Sequence, residues 1–275
     1  MKKTFATWKW GLGVVARSYL TVVVLAALIA LWAWAAYAWL GLPESSVLLL
    51  MLALIWAIAQ LLVAVVVVEG IVSRAADASA TEGRSLLLRS LWAADRKKLL
   101  NTMIFCLVSF ALAWVCGAVF SWFNAHSIEV ASFLTFHSER AVSHVPIEEI
   151  FRFIEGLLWI VLSGFLLGFF IALLRGGWRA AGKQTGKRLA ECAFGASFLT
   201  SLLSVAVFGG LAYELANWHP MVPPGFWDYT QMIVRFSLVL IIISAGALFW
   251  PLSLARLQAA KQNPQQEGHR GPTGV

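Results

Sequence analysis

The sequence predicts an all-α fold: a polytopic membrane bundle of six transmembrane helices with both termini on the cytoplasmic side. Three observations predict it. Uncharged apolar runs occupy residues 18–43, 45–68, 99–128, 156–174, 192–213 and 236–255, and roughly 20 helical residues at about 1.5 Å each suffice to cross a bilayer. The 275-residue chain is 60% hydrophobic and 13% charged, whereas a soluble domain carries about 25% charged residues. Finally, Lys and Arg crowd alternate connections, the pattern left when short cytoplasmic loops retain basic residues and translocated loops lack them.

The elements follow in order. Lys2, Lys3, Lys9 and Arg17 precede the first span, expected at 18–41, and place the N-terminus inside. That span is longer than the apolar core of a signal peptide, about 7 to 15 residues, and ends in Trp32, Trp34 and Trp39, so a retained helix is expected. A turn without basic residues leads to the second span, 46–68. Arg74, Arg84, Arg89, Arg96, Lys97 and Lys98 then mark a cytoplasmic connection. Within it, Ser79-Ala-Thr-Glu82 has the form of a capping box, and Leu88, Leu91, Trp92 and Leu99 follow at helical spacing. This predicts an amphipathic helix lying on the cytoplasmic face.

The third span is expected at 100–123. The outer connection after it carries Glu129, Glu139, Glu148 and Glu149, with Pro146 and the two adjacent glutamates shaped as the acidic first turn of a short outer helix. The fourth span, 151–174, is followed by Arg175, Arg179, Lys183, Lys187 and Arg188. The fifth, 191–213, leads to an outer loop with Glu214 and Asp228, and the sixth, 231–255, to Arg256, Lys261 and Arg270. Pro251 removes an amide donor near the end of the sixth helix. Residues 1–257 form one domain by this reading, and 258–275, polar with Gly and Pro, are expected to be a disordered tail.

The net charge of +7 is spread over short loops, which argues against nucleic acid as a partner and for membrane phospholipid. Trp residues near most span ends read as an interfacial belt. Cys106, Cys116 and Cys192 lie in or beside spans with no C-x-x-C spacing, so they read as small hydrophobes.

Few polar residues fall deep within the runs. Gln60 is the clearest, and a lone Gln in a span reads as interhelical glue. Glu155 lies 20 residues before Arg175 and Arg235 lies 21 before Arg256. Each is therefore about 30 Å above the inner boundary, which makes Glu155 and Arg235 a candidate interhelical ion pair, the equal alternatives being that each snorkels to the headgroups or that Glu155 pairs with Arg152 one turn earlier. The G-x-x-x-G frame of Gly164 and Gly168, with Ser197, Ser201 and Ser204 on the next span, predicts close helix packing. The frame L-L-R-x-x-W occurs at 87–92 and 173–178, which puts Arg89, Trp92, Arg175 and Trp178 at a candidate cytoplasmic interface. Duplication and convergence on interfacial chemistry both account for it.

No reaction signature emerges. Glu148-Glu-Ile-Phe-Arg152 resembles the E-E-x-x-x-R motif of intramembrane glutamate proteases of the prenyl-protein endopeptidase type, and Phe133-Leu-Thr-Phe-His137 resembles their F-x-x-x-H. The first string is one residue short and the second precedes it, so the activity does not carry over. His126, His137, His144 and His219 accompany the outer carboxylates without metal-ligand spacing, and all five His fall in loops or the tail, away from a haem site. No catalytic residue, cofactor or metal is expected. The expectation is an integral membrane protein of the bacterial inner membrane, an accessory or scaffold component with a membrane-protein partner or a second copy. A small-solute transporter is the alternative, and an enzyme at the outer surface the third.

Overall fold

A computed structural model describes residues 2–41, 46–78, 96–138, 141–183, 185–218 and 225–262. Within them the chain is almost entirely helical: α1 (Lys2–Arg17), α2 (Tyr19–Leu40), α3 (Val47–Ala78), α4 (Arg96–Ala125), α5 (Ser127–Ser138), α6 (Val145–Gly182), α7 (Thr185–Phe194), α8 (Ala196–Ser204), a π-helical segment (Val205–Gly209), α9 (Gly210–Asn217) and α10 (Phe226–Gln262). Among the described residues six stretches are long and apolar enough to cross a membrane: Tyr19–Leu40, Val47–Asp77, Lys98–Ala125, Val145–Gly182, Ala196–Asn217 and Phe226–Ala260.

Several helices outrun the apolar runs that predict them. α6 has 38 residues and α10 has 37, about 55 Å of helix against roughly 30 Å of hydrocarbon. α10 continues to Gln262, so the polar segment from residue 258 begins as helix. Pro251 sits buried within α10 without ending it. α6 starts at Val145 with Pro146 in its first turn, so the acidic turn opens the fourth span itself, while the separate helix on that side is α5. The fifth span starts later than expected. Gly195 is extended, with φ −105° and ψ −169°, and it separates α7 from α8, leaving Cys192 on α7, ahead of the span.

The helices run back and forth, so most of the basic residues lie at one end of the bundle and most acidic residues at the other. At the basic end, Lys98 Nζ lies 3.5 Å from Ser73 Oγ, Arg175 donates to the Ala76 carbonyl at 2.9 Å, and Arg256 stacks 4.2 Å from the Trp10 ring. The acidic end holds Glu155, Asp228 and the carboxylates of α5 and α6.

The expected amphipathic helix around residues 79–95 lies outside the described residues. Another amphipathic helix, α1, occupies the basic end. α1 buries Thr4, Thr7, Val14 and Val15 and exposes Phe5, Lys9 and Leu12 on the opposite side. Its buried face rests on α10, where Trp8 meets Phe249 edge-on at 4.8 Å. Gly11 permits this approach: a Cβ there would stand 2.9 Å from both Phe249 Cε2 and Ser253 Oγ. Gly11→Val is expected to lower stability by about 1–3 kcal/mol through overpacking. The check is thermal unfolding in detergent together with protease sensitivity of the first 17 residues; an unchanged midpoint and cleavage pattern would show that α1 is not docked.

The core is confined to the basic half. Two apolar clusters form it, one around Leu25, Ile71, Leu248, Phe249 and Leu252, the other around Phe105, Phe170, Ile171, Leu173 and Leu254. Phe105 stacks on Phe170 at 4.6 Å, and Phe208 meets Phe249 at 5.2 Å. By contrast, no described residue of α2 after Ala26, α3 before Val65, α4 after Phe105 or α10 before Ser244 is buried. Toward the acidic end the spans bury little, although Asn124 of α4 still reaches Glu155 of α6 and Phe123 meets Phe151 at 6.3 Å, and α2 with the first half of α3 forms a two-helix arm.

Candidate functional site

Where hydrocarbon surrounds a bundle, helices gain little by burying apolar area and associate through close packing and polar contacts instead. The polar side chains inside the bundle therefore mark its important junctions. At the central one, α6, α8 and α10 meet. Trp250 Nε1 donates to Ser201 Oγ at 3.1 Å, and a Cβ on Gly164 would lie 2.6 Å from that same oxygen. One turn along α6, Gln258 Nε2 donates to the Gly168 carbonyl at 3.0 Å, and a Cβ on Gly168 would lie 3.1 Å from that nitrogen. Both glycines are thus turned into the bundle, each facing a polar atom of a neighbouring helix.

A second junction joins α3, α4 and α6 at the basic end. Besides the Arg175 bond to Ala76, Trp178 Nε1 donates to Asn101 Oδ1 at 3.1 Å and its ring lies 6.2 Å from that of Phe169. Gly177, with φ +72°, breaks α6 between Arg175 and Trp178. A side chain would be strained in that conformation. Arg175 and Trp178 therefore hold neighbouring helices together inside the chain, while Arg89 and Trp92 lie outside the described residues. Beyond the break, Arg188 donates to the carbonyls of Ala181 at 2.6 Å and Ala180 at 3.4 Å, which caps the last turn of α6. Burial lowers the Arg188 pKa and the nearby Glu191 partly offsets this.

Glu155 and Arg235 are not brought together. The Glu155 carboxylate accepts from Asn124 Nδ2 at 3.2 Å and Trp159 Nε1 at 3.3 Å, while Arg235 donates to the Trp218 carbonyl and packs 5.5 Å from the Phe236 ring. Two ions at equal height meet only if their helices also converge at that height, and here each finds a partner on an adjacent element. At the same end Arg152 pairs with Glu148 along α6, and the His126 ring lies 3.9 Å from Glu129. Among the described residues no group of three or more His, Cys, Asp and Glu is arranged to hold a metal ion.

Glu69 is the residue that sequence reasoning missed. It ends an apolar run and reads as a boundary charge, yet it lies within α3 and is only 1% exposed, with buried Val65 and Val72 one turn to either side. The signal available was the apolar sequence Gly70-Ile-Val72 directly beyond it, which carries the helix pattern past the charge. Two hydroxyls elsewhere in the bundle are also fully buried: Thr200 and Ser244 are 0% exposed, and neither side-chain oxygen has a hydrogen-bond partner among the described residues.

No family model, curated protein or solved structure matches the chain. The remaining site is thus described by its own geometry. Between α2 and α3 lies a groove of about 730 Å³, bordered by Leu28, Trp32, Ile55, Trp56 and Val63, into which Gln60 also faces. Two indoles pin its walls together: Trp39 Nε1 donates to the Ala53 carbonyl at 2.9 Å and Trp32 Nε1 to the Gln60 carbonyl at 3.3 Å. Gln60 is half-buried, and its Nε2 is fully buried without a hydrogen-bond partner among the described residues. A smaller cavity of about 530 Å³ opens at the acidic end between α5 and the start of α6, lined by Ser132, Thr135, Phe136, Ser143 and His144.

Proposed function

We propose that this protein is an accessory or scaffold component of a bacterial inner membrane, with both termini in the cytoplasm, whose bundle is completed by transmembrane helices from outside the chain. The observation that carries this reading is the uneven packing. Only 6% of the apolar stretches of α3 and α4 is buried, against 33% for α6. Half of the bundle encloses a buried core and the other half presents apolar helices, tied together at a few points, to whatever lies beside them. The arrangement suits a subunit that docks through its outer half while the basic half supplies the rigid base. The placement of both ends in the cytoplasm rests on the concentration of Lys and Arg at the basic end.

Purification from native membranes in mild detergent, followed by native mass spectrometry, tests the reading. A stoichiometric membrane-protein partner whose association is weakened by polar substitutions on the exposed faces of α3 and α4, such as Leu107→Ser, is the expected result. A chain that is never isolated with another protein, and whose exposed faces tolerate such changes without phenotype, overturns it.

A specific observation favours transport as the second reading. Glu69 is a buried ionisable residue within a stretch long and apolar enough to cross a membrane, and the π-helical segment Val205–Gly209 interrupts the regular helix beside the buried Ser204. Buried carboxylates serve proton relays in transporters, and π segments recur at functional sites. Under this reading Glu69→Gln, in a well-folded protein, abolishes proton flux into reconstituted vesicles. Flux that is absent from the wild type, or unaffected by the substitution, removes it.

A further inference from the structure

We infer that α1 is an in-plane helix seated in the leaflet at the basic end, with Phe5 and Leu12 among the acyl chains and Lys9 and Arg17 holding the phosphates of anionic phospholipid. The inference takes from the preceding reading only that the spans cross a membrane, and it concerns the end of the bundle opposite to the proposed docking half.

The direction of α1 follows from its contacts. Trp8 meets Phe249 and Arg256 stacks on Trp10. Residues two apart project from opposite flanks of a helix, yet these two reach residues seven apart on α10, about 10 Å of its length. Farther along α1, Val14 and Val15 share a cluster with Leu248, Phe249 and Leu252, the level of α10 that Trp8 already meets. A helix that keeps to one level of a spanning helix over two turns lies across it. Ser18, with φ −101° and ψ 26°, turns the chain from α1 into α2. Because Arg256 ends the apolar run of α10, the crossing lies close to the edge of the hydrocarbon.

The same contacts fix what each flank of α1 faces. The Trp8 flank points along α10 toward the membrane interior, and the Trp10 flank points toward the basic end. Phe5 and Leu12, three before and four after Trp8, share the interior flank, and they are 76% and 43% exposed. Arg17, seven after Trp10, lies on the other flank, and exposed Lys9 lies opposite the buried face of Thr7, Gly11 and Val14.

One face on the bundle, an apolar flank toward hydrocarbon and basic residues toward the headgroups are what an interfacial helix requires. Residues 2–17 carry four basic residues and no acidic one. Their complement is the phosphate of an anionic leaflet, to which each nearby Lys or Arg raises affinity about fivefold. A protein docking from the aqueous side would leave Phe5 and Leu12 unmet, because they point away from it.

The test uses the full-length chain alone, with its three cysteines changed to serine, in phosphatidylethanolamine vesicles containing phosphatidylglycerol. Nitroxide labels are placed at Leu12→Cys on the interior flank and, separately, at Gly13→Cys, where a side chain would meet nothing within 4 Å. Oxygen, which partitions into hydrocarbon, is expected to relax the label at residue 12, and a water-soluble nickel chelate the label at residue 13. A fluorophore on Gly13→Cys then reports the lipid beside α1, through quenching by trace nitroxide-labelled phosphatidylglycerol or phosphatidylcholine. Phosphatidylglycerol is expected to quench more strongly. Adding Lys9→Gln is expected to lower its relative association about fivefold, and Lys9→Arg to preserve it. Size-exclusion profiles establish that each variant is folded. Equal access of the chelate to residues 12 and 13 would put α1 outside the leaflet, and shielding of residue 12 from both probes would show it covered by protein. Equal quenching by the two lipids, or quenching unchanged by Lys9→Gln, would remove the anionic site. Each of these overturns the inference. The chain is measured without any other protein, so failure here is separate from failure to find a heterologous partner.

Discussion

Gly164→Leu is expected to prevent the bundle from closing. The Cβ alone would stand 2.6 Å from Ser201 Oγ and 3.4 Å from Ser201 Cβ, and the branched side chain beyond it has no space between α6 and α8. Overpacking a close helix crossing costs about 3 kcal/mol. In a membrane bundle, where close packing replaces the hydrophobic driving force, that is a large part of what holds two spans together. The folded fraction in mild detergent, read by size-exclusion chromatography and unfolding in sodium dodecyl sulfate, is expected to fall sharply. Gly164→Ala sharpens the argument. Its conflict is with the hydroxyl oxygen, so adding Ser201→Ala is expected to restore much of the loss at the cost of the Trp250 hydrogen bond, itself about 0.6 kcal/mol. A double variant no better than Gly164→Ala would place the contact elsewhere.

Glu69→Lys is expected to be nearly as damaging, for a different reason. At 1% exposure the side chain is enclosed by the core helices, so a reversed charge can neither reach water by extending nor inherit the interactions of the carboxylate. Breaking a buried charged arrangement costs about 3 kcal/mol or more. Glu69→Gln preserves shape and keeps hydrogen-bonding capacity, and is expected to leave the thermal midpoint within a few degrees of the wild type. The pair of variants separates two properties. Loss of fold with Lys and retention with Gln identify a structural enclosure, after which proton flux with the Gln variant reports on transport. A stable, abundant Glu69→Lys protein would mean that the site opens to solvent.

Much of the fold was legible because the bilayer imposes its demands locally. Span number follows from runs of apolar residues, and six stretches long and apolar enough to cross occupy the expected segments. Gly164 and Gly168 were marked as packing residues by spacing alone, and the structure places each against a polar atom of another helix. Helix ends were less legible. A charge reads as a boundary, yet α3 runs nine residues past Glu69 and α10 seven past Ala255, since a helix is free to continue wherever its neighbours or water receive its side chains. α1 was hidden for a related reason: Thr4, Thr7 and Gly11 make a face by being small and polar, which hydropathy does not register.

The candidate site divides along the same line. Gln60 was visible in the sequence as a polar residue in an apolar run, but the groove it faces arises only from the angle between α2 and α3. Arg175 and Trp178 were visible as a basic and aromatic pair at a span end; that they bind α3 and α4 is a matter of which helices lie adjacent. The equal heights of Glu155 and Arg235 came from counting residues, and height is only one of three coordinates.

The sequence by itself determined that this is a chain of six apolar helices with basic residues gathered in alternate connections, because hydrocarbon selects for length and hydropathy one segment at a time. Tertiary structure alone decided that the core occupies one half, that Glu69 is enclosed within it, that Glu155 and Arg235 have separate partners, and that an arm with an unmet amide is left at the other half. Apolar faces look alike to lipid and to one another. Partner choice between helices therefore rests on shape and a few hydrogen bonds, which hydropathy patterns do not encode.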